Sequence, residues 1–505
     1  MDAPEATALS GRQRGLITLS VMLATIMQAI DTTIANVALP HMQGSMGVFQ
    51  DQIAWVLTSY VLAAAIFIPL TGFLAARLGR RRLFLICVVG FTLASMLCGA
   101  AQDIYQIVLF RFVQGVFGAP LVPLSQAVML DTYPREKHGS AMAMWGMGVM
   151  LGPVIGPTLG GWLTEYYSWR WVFYINLPIG IFTVIGLMSF LPETAVDKHR
   201  RFDYLGFFLL AISVGAMQMM LDRGESLDWF NSLEVVIEAI IAAVFFYLFV
   251  VHIYTNERPF IDPSIFKDRN FVVGMSFMFL IGIILLAVLA LLPPLMQGLL
   301  GYPVLTVGNL LAPRGAGTMI SMLIAGRLVT KMDPRIMVCA GLLLVAHSLW
   351  EMTQFSDQVS GKFILVSGFV QGIGLGLIFV PLSTLTFATL GAQWRIEATP
   401  LYNLVRNLGS SVGVSMAVTL LAQNTQANHG AFVEYLSTDR IGLQQAIDLG
   451  RIDIESVRGL SLINLEVYRQ SQFLAYLQDF RLMMWMTLAA IPLLLVLRVP
   501  EEAVP

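Results

Sequence analysis

Charge is what this sequence has least of. Asp, Glu, Lys and Arg together make up 12% of the 505 residues, while 57% are hydrophobic. Soluble domains carry roughly 25% charged residues, so a water-soluble globular chain is excluded. The formal net charge of −2 provides no basic surface for nucleic acid, and no nucleic-acid partner is expected. Cysteine is also scarce. Cys87, Cys98 and Cys339 each sit within an apolar run, which excludes a disulfide framework and a zinc site. The six histidines are scattered, and neither HExxH nor CxxC occurs. No metal and no cofactor are expected, nor the convergent cluster a membrane enzyme needs. A Gly-x-x-x-x-Gly-Lys-Ser/Thr phosphate loop is missing too, which excludes an ATP-driven pump. The "GIGLG" at Gly372 lies inside an apolar run and is no dinucleotide loop.

What the sequence has is repeated apolar segments of roughly 20 residues, the length of a transmembrane helix. Fourteen are expected, near 15–38, 53–75, 82–101, 104–130, 139–163, 170–191, 203–221, 232–255, 269–298, 303–327, 335–354, 362–391, 398–422 and 479–498. The fold expected is an all-α polytopic membrane protein. With the N-terminus placed inside, Arg12, Arg14, Arg77, Arg80, Arg81, Arg82, Arg135, Lys137, Lys198, Arg200, Arg201, Arg258, Lys267, Arg269, Arg327, Lys331, Arg335, Arg395 and Arg498 fall on the cytoplasmic side. Short outside loops hold only Arg170, Arg223 and Lys362. This bias follows the positive-inside rule and places both termini in the cytoplasm. The N-terminal residues 1–14 read as a short polar tail without a removable signal peptide. A long outside loop is expected at 423–478, as a surface cap or as a docking surface for a periplasmic partner.

The chain repeats itself. "FVQGVFGAPLVPLS" from Phe112 returns as "FVQGIGLGLIFVPLS" from Phe369. "GFLAARLGRRRL" from Gly72 has a counterpart in "GRLVTKMDPRIM" from Gly326, and Gly152 and Gly156 map onto Gly409 and Gly413. The spacing is nearly constant. It describes two six-helix bundles, 15–191 and 269–498, with two further helices, 203–255, inserted between them. Parallel repeats of this kind build secondary transporters, with the substrate site between the halves.

Ionisable residues inside membrane spans are expensive and point to function. Asp31 stands in the first span, on a face with Ala24, Met27, Gln28, Ile34, Ala35 and Ala38, which is small and partly polar. Such a carboxylate can exchange a proton as its surroundings alternate; the static reading has it held by Thr32 or Asn36. Arg111, at a similar depth in the fourth span, is its expected partner, with Gln114, Gly115 and Gly118 on the same face. The repeat puts Gly368 where the second half would need this arginine, so coupling chemistry is expected mainly in the first half. Arg314 and Arg406 are intramembrane as well and suit helix carbonyls or anionic ligand groups. Gln28, Asn36, Gln114, Arg314 and Arg406 are the candidates for the substrate or helix interface.

The motifs together resemble the fourteen-helix multidrug exporters of the major facilitator superfamily, of the EmrB/QacA type. "IDTTIANVALP" (Ile30 to Pro40) is similar to that branch's helix-1 signature, and "LFRFVQGVFGAP" (Leu109 to Pro120) to its helix-4 motif. "GVMLGPVIGPTLGG" resembles the antiporter motif, through Gly148, Gly152, Pro153, Gly156, Pro157, Gly160 and Gly161. Glycines four apart let helices pack closely, and the resemblance places this motif at the interface between halves. "GFLAARLGRRRL" resembles the cytoplasmic gating loop in Gly72, Arg77, Gly79 and Arg80, but Ala76 stands where the family has Asp. "MLDRGESLDWF" from Met220 looks more like the EmrB side, whose members work with a periplasmic adaptor and an outer-membrane channel.

The resemblance implies a major facilitator fold and proton-coupled antiport, with Asp31 tied to the coupling. The function expected is export of amphipathic or hydrophobic drugs by alternating access across a bacterial inner membrane. A dedicated exporter of a siderophore, a biosynthetic product or a fatty acid is the alternative. A channel or receptor would need neither the repeat nor the asymmetric Asp31.

Overall fold

A computed structural model describes residues 10–194, 196–197, 201–391, 394–436 and 456–498, and among these every regular element is helical. Helix α1 (Gly11–Met46) begins where the Ser10 hydroxyl accepts from the Gln13 N–H while Gln13 Oε1 accepts from the Ser10 N–H. This reciprocal cap satisfies two donors that a helix start leaves open. The helix ends at Gly47, whose φ of 64° suits a residue without Cβ. Helices α2 (Gln50–Phe67) and α3 (Leu70–Leu78) are separated at Ile68–Pro69 by a bend of 60°. Proline there removes a helical hydrogen bond, and the break turns α3 toward the later helices.

The remaining elements are α4 (Arg80–Ala100), α5 (Ile104–Gly118), α6 (Leu121–Thr132), α7 (His138–Tyr166), α8 (Trp171–Tyr174), α9 (Asn176–Phe190), α10 (Tyr204–Arg223) and α11 (Leu233–Thr255). There follow α12 (Arg269–Pro294), α13 (Val304–Leu328), α14 (Pro334–Met352), α15 (Gly361–Ala388), α16 (Arg395–Glu434) and α17 (Val457–Ala489). Among the described residues, 12 helices are long and apolar enough to cross a membrane, or up to 13 with the bent pair α2–α3 counted as one crossing. Fourteen crossings are thus not reached by that measure. The shortfall lies at 303–327, where α13 is long enough, but Asn309, Pro313, Arg314, Gly315 and Gly317 dilute its apolar character.

Packing repeats along with the motifs. Helix α1 lies on α7 as α12 lies on α16, and α2 lies on α5 as α13 lies on α15. The pair α10–α11 stands to one side, with α10 touching both α2 and α16. Helix α11 is outermost and exposes Ile237, Ile240, Val244 and Phe246, an apolar surface suited to lipid. Contacts between the α1–α9 and α12–α17 sets run along α7–α13. Elsewhere they gather at the end carrying the Arg-rich loop, where α3 and α6 meet the start of α16 and α7 meets α15.

The segment 423–478 is not a loop in its described parts. Helix α16 continues to Glu434 and α17 begins at Val457, so both run well beyond the expected apolar spans. Asn428 joins them by donating to the Ser471 carbonyl at 3.2 Å and to Gln478 Oε1 at 3.3 Å. The stretch "SLINLEVYRQSQFLAYLQDF", helical-looking in sequence, lies within α17. Residues 437–455 lie outside the described residues, as do Lys198 and Arg200 of the expected cytoplasmic side.

Candidate functional site

Asp31 is fully buried at the junction of α1, α5 and α9. Its Oδ2 accepts from Arg111 Nη1 at 2.7 Å. Its Oδ1 accepts from Gln114 Nε2 and from Asn176 Nδ2, both at 2.9 Å. Arg111, 1% exposed, also donates from Nη1 to Gln114 Oε1 at 2.8 Å and from Nε to the Val56 carbonyl at 3.2 Å. Its guanidinium lies 4.4 Å from the Tyr60 ring centroid and 5.6 Å from that of Phe173. Asn176 is held in turn by Ser95, whose Oγ accepts from Asn176 Nδ2 and donates to the Phe173 carbonyl. Cys98 Sγ donates to Gln114 Oε1 at 3.6 Å.

Removing one charge of this buried pair leaves the other uncompensated in low dielectric, which costs about 3–5 kcal/mol in proteins. Both carboxylate oxygens of Asp31 have donors, and Arg111 also donates to Gln114 and to the Val56 carbonyl.

The sequence-based expectations fare unevenly here. Arg111 and Gln114 meet Asp31, but Thr32 and Asn36 do not hold it. Thr32 turns back to the Ala29 carbonyl, and Asn36 is exposed. Gln28 is half-buried and donates to the Tyr60 hydroxyl at 3.2 Å, on the edge of the cluster. Asn176 was missed. Its only sequence signal is a lone amide in the apolar run "WVFYINLPIGIF", and that run lies far from Asp31 along the chain.

The glycine motif also faces an unexpected way. A Cβ on Gly152 would stand 2.2 Å from the Ala29 carbonyl oxygen, and one on Gly156 would stand 2.1 Å from Thr33 Oγ1. Gly148 and Gly160 press on Met22 and Ile34 in the same way, while Gly161 has open contact only. The stripe therefore packs on α1, directly behind Asp31, and not across to the later helices. Thr33 Oγ1 adds a 2.9 Å bond to the Gly152 carbonyl. Pro153 and Pro157, on the same stretch of α7, cannot donate to the preceding turn and loosen the helix there. The other face of α7 meets α13, through Gly139 against Val329, Gly146 against Met322 and Val154 against Gly315.

At the Arg-rich end, Asp131 of α6 is paired with Arg80 and lies 3.7 Å from Arg395, which begins α16. Gly79 there adopts a φ of 83°, and the Arg80 N–H donates to Thr194 Oγ1 at 2.9 Å. Gly72 is buried in α3. Arg77 is exposed, with its guanidinium 5.9 Å from the Phe73 ring centroid. Ala76 offers only its carbonyl, to the Asp197 N–H at 3.0 Å. Asp131 of α6 thus links Arg80 of this loop to the start of α16. Nearby, Asn403 of α16 donates to Gln126 Oε1 of α6 at 2.7 Å. Between α1, α7 and α13 the same end holds a cavity of about 440 Å³ lined by Thr18, Met22, Tyr133, Met144, Met147 and Met319. Methionine suits an adaptable apolar lining.

The Major Facilitator Superfamily model matches residues 21–414. The chain belongs to that superfamily. This major facilitator protein is 38% identical over 473 residues to the fatty acid resistance protein FarB of Neisseria gonorrhoeae, covering 93% of this chain and 92% of FarB. It is 37% identical over 429 residues to the multidrug export protein EmrB of Escherichia coli (strain K12), covering 84% of each. Among solved structures, the proton:xylose symporter XylE superposes with a TM-score of 0.62 at 14% identity, covering 96% of this chain and 97% of XylE. That likeness concerns the fold. Arg314 and Arg406, the two other intramembrane arginines of this major facilitator protein, lie apart from Asp31, on α13 and α16.

Proposed function

We propose that this protein is a proton-driven exporter of amphipathic and hydrophobic compounds across the bacterial inner membrane, a multidrug efflux antiporter. The observation that carries the reading is the sealed Asp31–Arg111–Gln114–Asn176 cluster, the arrangement a proton can switch. Residues 15–191 and 269–498 act as two halves that rock about their shared cavity, and the helices within 203–255 flank them. The Arg-rich end is cytoplasmic, with both termini there, and its closure by Asp131 corresponds to an outward-facing orientation. A proton entering from outside neutralises Asp31 and releases Arg111. Helix α1 then shifts against the glycine stripe of α7, whose far face drives α13. Each charge crossing the membrane field contributes roughly 2.3 kcal/mol per 100 mV. No covalent chemistry is involved, and no cofactor is required.

Likeness to EmrB supports breadth of substrate, and likeness to FarB favours a second reading, export dedicated to fatty acids. The extensions of α16 and α17 expose Val433, Tyr435, Leu460 and Leu465, an apolar surface on which a periplasmic adaptor leading to an outer-membrane channel would sit. The test is proton flux in liposomes carrying an internal pH dye. Amphipathic compounds should drive proton movement with the wild type and none with Asp31→Asn. Unchanged exchange in the variant would make Asp31 structural, and compound movement without proton counterflow would favour a channel.

A further inference from the structure

The two halves treat their buried charges differently, and the buried Asp479 of α17 accepts from Asn424, not from an arginine. The first half pairs Asp31 with Arg111 and is neutral there. The second half carries Arg314 and Arg406, with no carboxylate bonded to either among the described residues. Arg314 lies about 15 Å along α13 from its start at Val304, and Arg406 about 16 Å along α16 from Arg395, both well inside the membrane. Arginine stays protonated in proteins. An unpaired one at the centre of a span costs about 2.5–3.5 kcal/mol on insertion scales.

The repeat shows how this came about. Aligning Gly72 with Gly326 sets Arg314 in the place of Tyr60, and aligning Phe112 with Phe369 sets Gly368 in the place of Arg111 and Gln371 in that of Gln114. In the second half the arginine thus stands on the helix that matches Tyr60, not on the one that matches Arg111. Gly368 leaves it room: a Cβ there would lie 3.7 Å from the Arg314 Cβ. Arg314 is 5% exposed, and its Nη2 makes one long bond of 3.4 Å to the Leu285 carbonyl. Its Nη1 is buried with no partner among the described residues. Gln371 is fully buried, and among the described residues neither its Nε2 nor its Oε1 has a partner, whereas Gln114 uses both. Buried polar atoms without partners point to a missing group.

We propose that Arg314, assisted by Gln371, is an anion subsite that receives the carboxylate of an alkyl-chain substrate. The inference rests on the export reading and narrows its substrate class to amphipathic acids. A guanidinium offers two parallel donors to a carboxylate, and Gln371 stands between Gly368 and Gly372, the two α15 positions that meet Arg314, to offer its amide as a third donor.

The test compares laurate, at a pH where it is ionised, with methyl laurate as ligands of the full-length protein in neutral detergent. The wild type should bind laurate at least about tenfold tighter than the ester, the size of one charged hydrogen-bond contribution. Arg314→Gln should remove that preference without changing the affinity for the ester, and Arg314→Lys should restore part of it. Equal binding of acid and ester by the wild type would overturn the proposal, as would an unchanged ratio in Arg314→Gln. Should that variant fail to fold, Gln371→Leu takes its place, and an unchanged laurate preference there is equally fatal. Arg314-dependent binding of phosphatidylglycerol in nanodiscs, with none of laurate, would make the anion a lipid and overturn the substrate assignment. A wild type that binds laurate through Arg314 but moves protons with no compound would retain the subsite and defeat the antiport reading alone.

Discussion

Arg111 and Asp31 stand 80 positions apart in the chain, yet their Nη1 and Oδ2 atoms lie 2.7 Å apart in a site closed to solvent. Everything around the pair serves one geometry. Gln114 bonds both partners, Asn176 fixes the second carboxylate oxygen, and Tyr60 supplies a ring for the guanidinium. Arg111→Lys keeps the charge but loses the planar fork and the donation to Val56. Transport is expected to fall at least about tenfold in Arg111→Lys, an amount consistent with losing one charge-assisted hydrogen bond. Vesicle efflux assays measure this directly. Rates equal to the wild type would mean that only the charge matters.

Asn176→Leu removes a donor that Asp31 and Ser95 share. The loss leaves Asp31 Oδ1 with Gln114 alone, a cost of about 1–3 kcal/mol for the buried group. Thermal unfolding of the purified variant should move to lower temperature, and transport should weaken. Asn176→Asp is expected to be worse, since it sets a second carboxylate beside the first. A variant as stable and active as the wild type would remove Asn176 from the cluster.

The glycine stripe makes a graded prediction. Gly152→Ala forces a Cβ against the backbone of Ala29, which cannot give way as a flexible side chain would. Overpacking of this kind costs about 1–3 kcal/mol. Gly161→Ala meets only Val37 at 3.9 Å and should be neutral. Melting temperature and efflux rate together check the pair. Equal behaviour of the two variants would contradict the packing of α7 on α1.

Asp131 closes the Arg-rich end through Arg80 and Arg395. Asp131→Asn should shift the population toward opening of that end. Spin labels at exposed Leu78 and Ile336 would then report longer distances in the variant than in the wild type. Identical distance distributions would show that the ion pairs do not hold the end shut.

The α10–α11 turn carries two residues with positive φ that are not glycine, Asp228 at 58° and Trp229 at 50°. The Trp229 indole N–H donates to Thr419 of α16 at 2.9 Å, and Thr58 of α2 donates to Asp222 of α10. The turn thus ties α10 to both neighbours at a cost of about 1–3 kcal/mol for each strained residue. Asp228→Gly should relieve strain and raise the melting temperature, whereas Thr419→Val should lower it. The reverse order would show that the strain is not offset by this docking.

Composition alone determined that the chain lies in a membrane, because hydrocarbon admits only long apolar helices at such low charge. Repeated motifs exposed the pseudo-symmetry, and the cost of an intramembrane charge singled out Asp31, Arg111, Arg314 and Arg406 before any helix was placed. Periodicity says which face of one helix a residue occupies. It does not say which distant helix that face meets, so neither the link from Asn176 to Asp31 nor the packing of the glycine stripe on α1 could be read from it. Apolar runs likewise mark where lipid is, not where a helix stops, so the sequence shows helical segments within 423–478 but not that they continue α16 and α17. Only tertiary packing decided that Asp131 joins Arg80 to Arg395, and that Arg314 is bonded to no carboxylate among the described residues. Both depend on contacts between helices far apart in the chain, where close approach is set by glycine, bends and side-chain volume together.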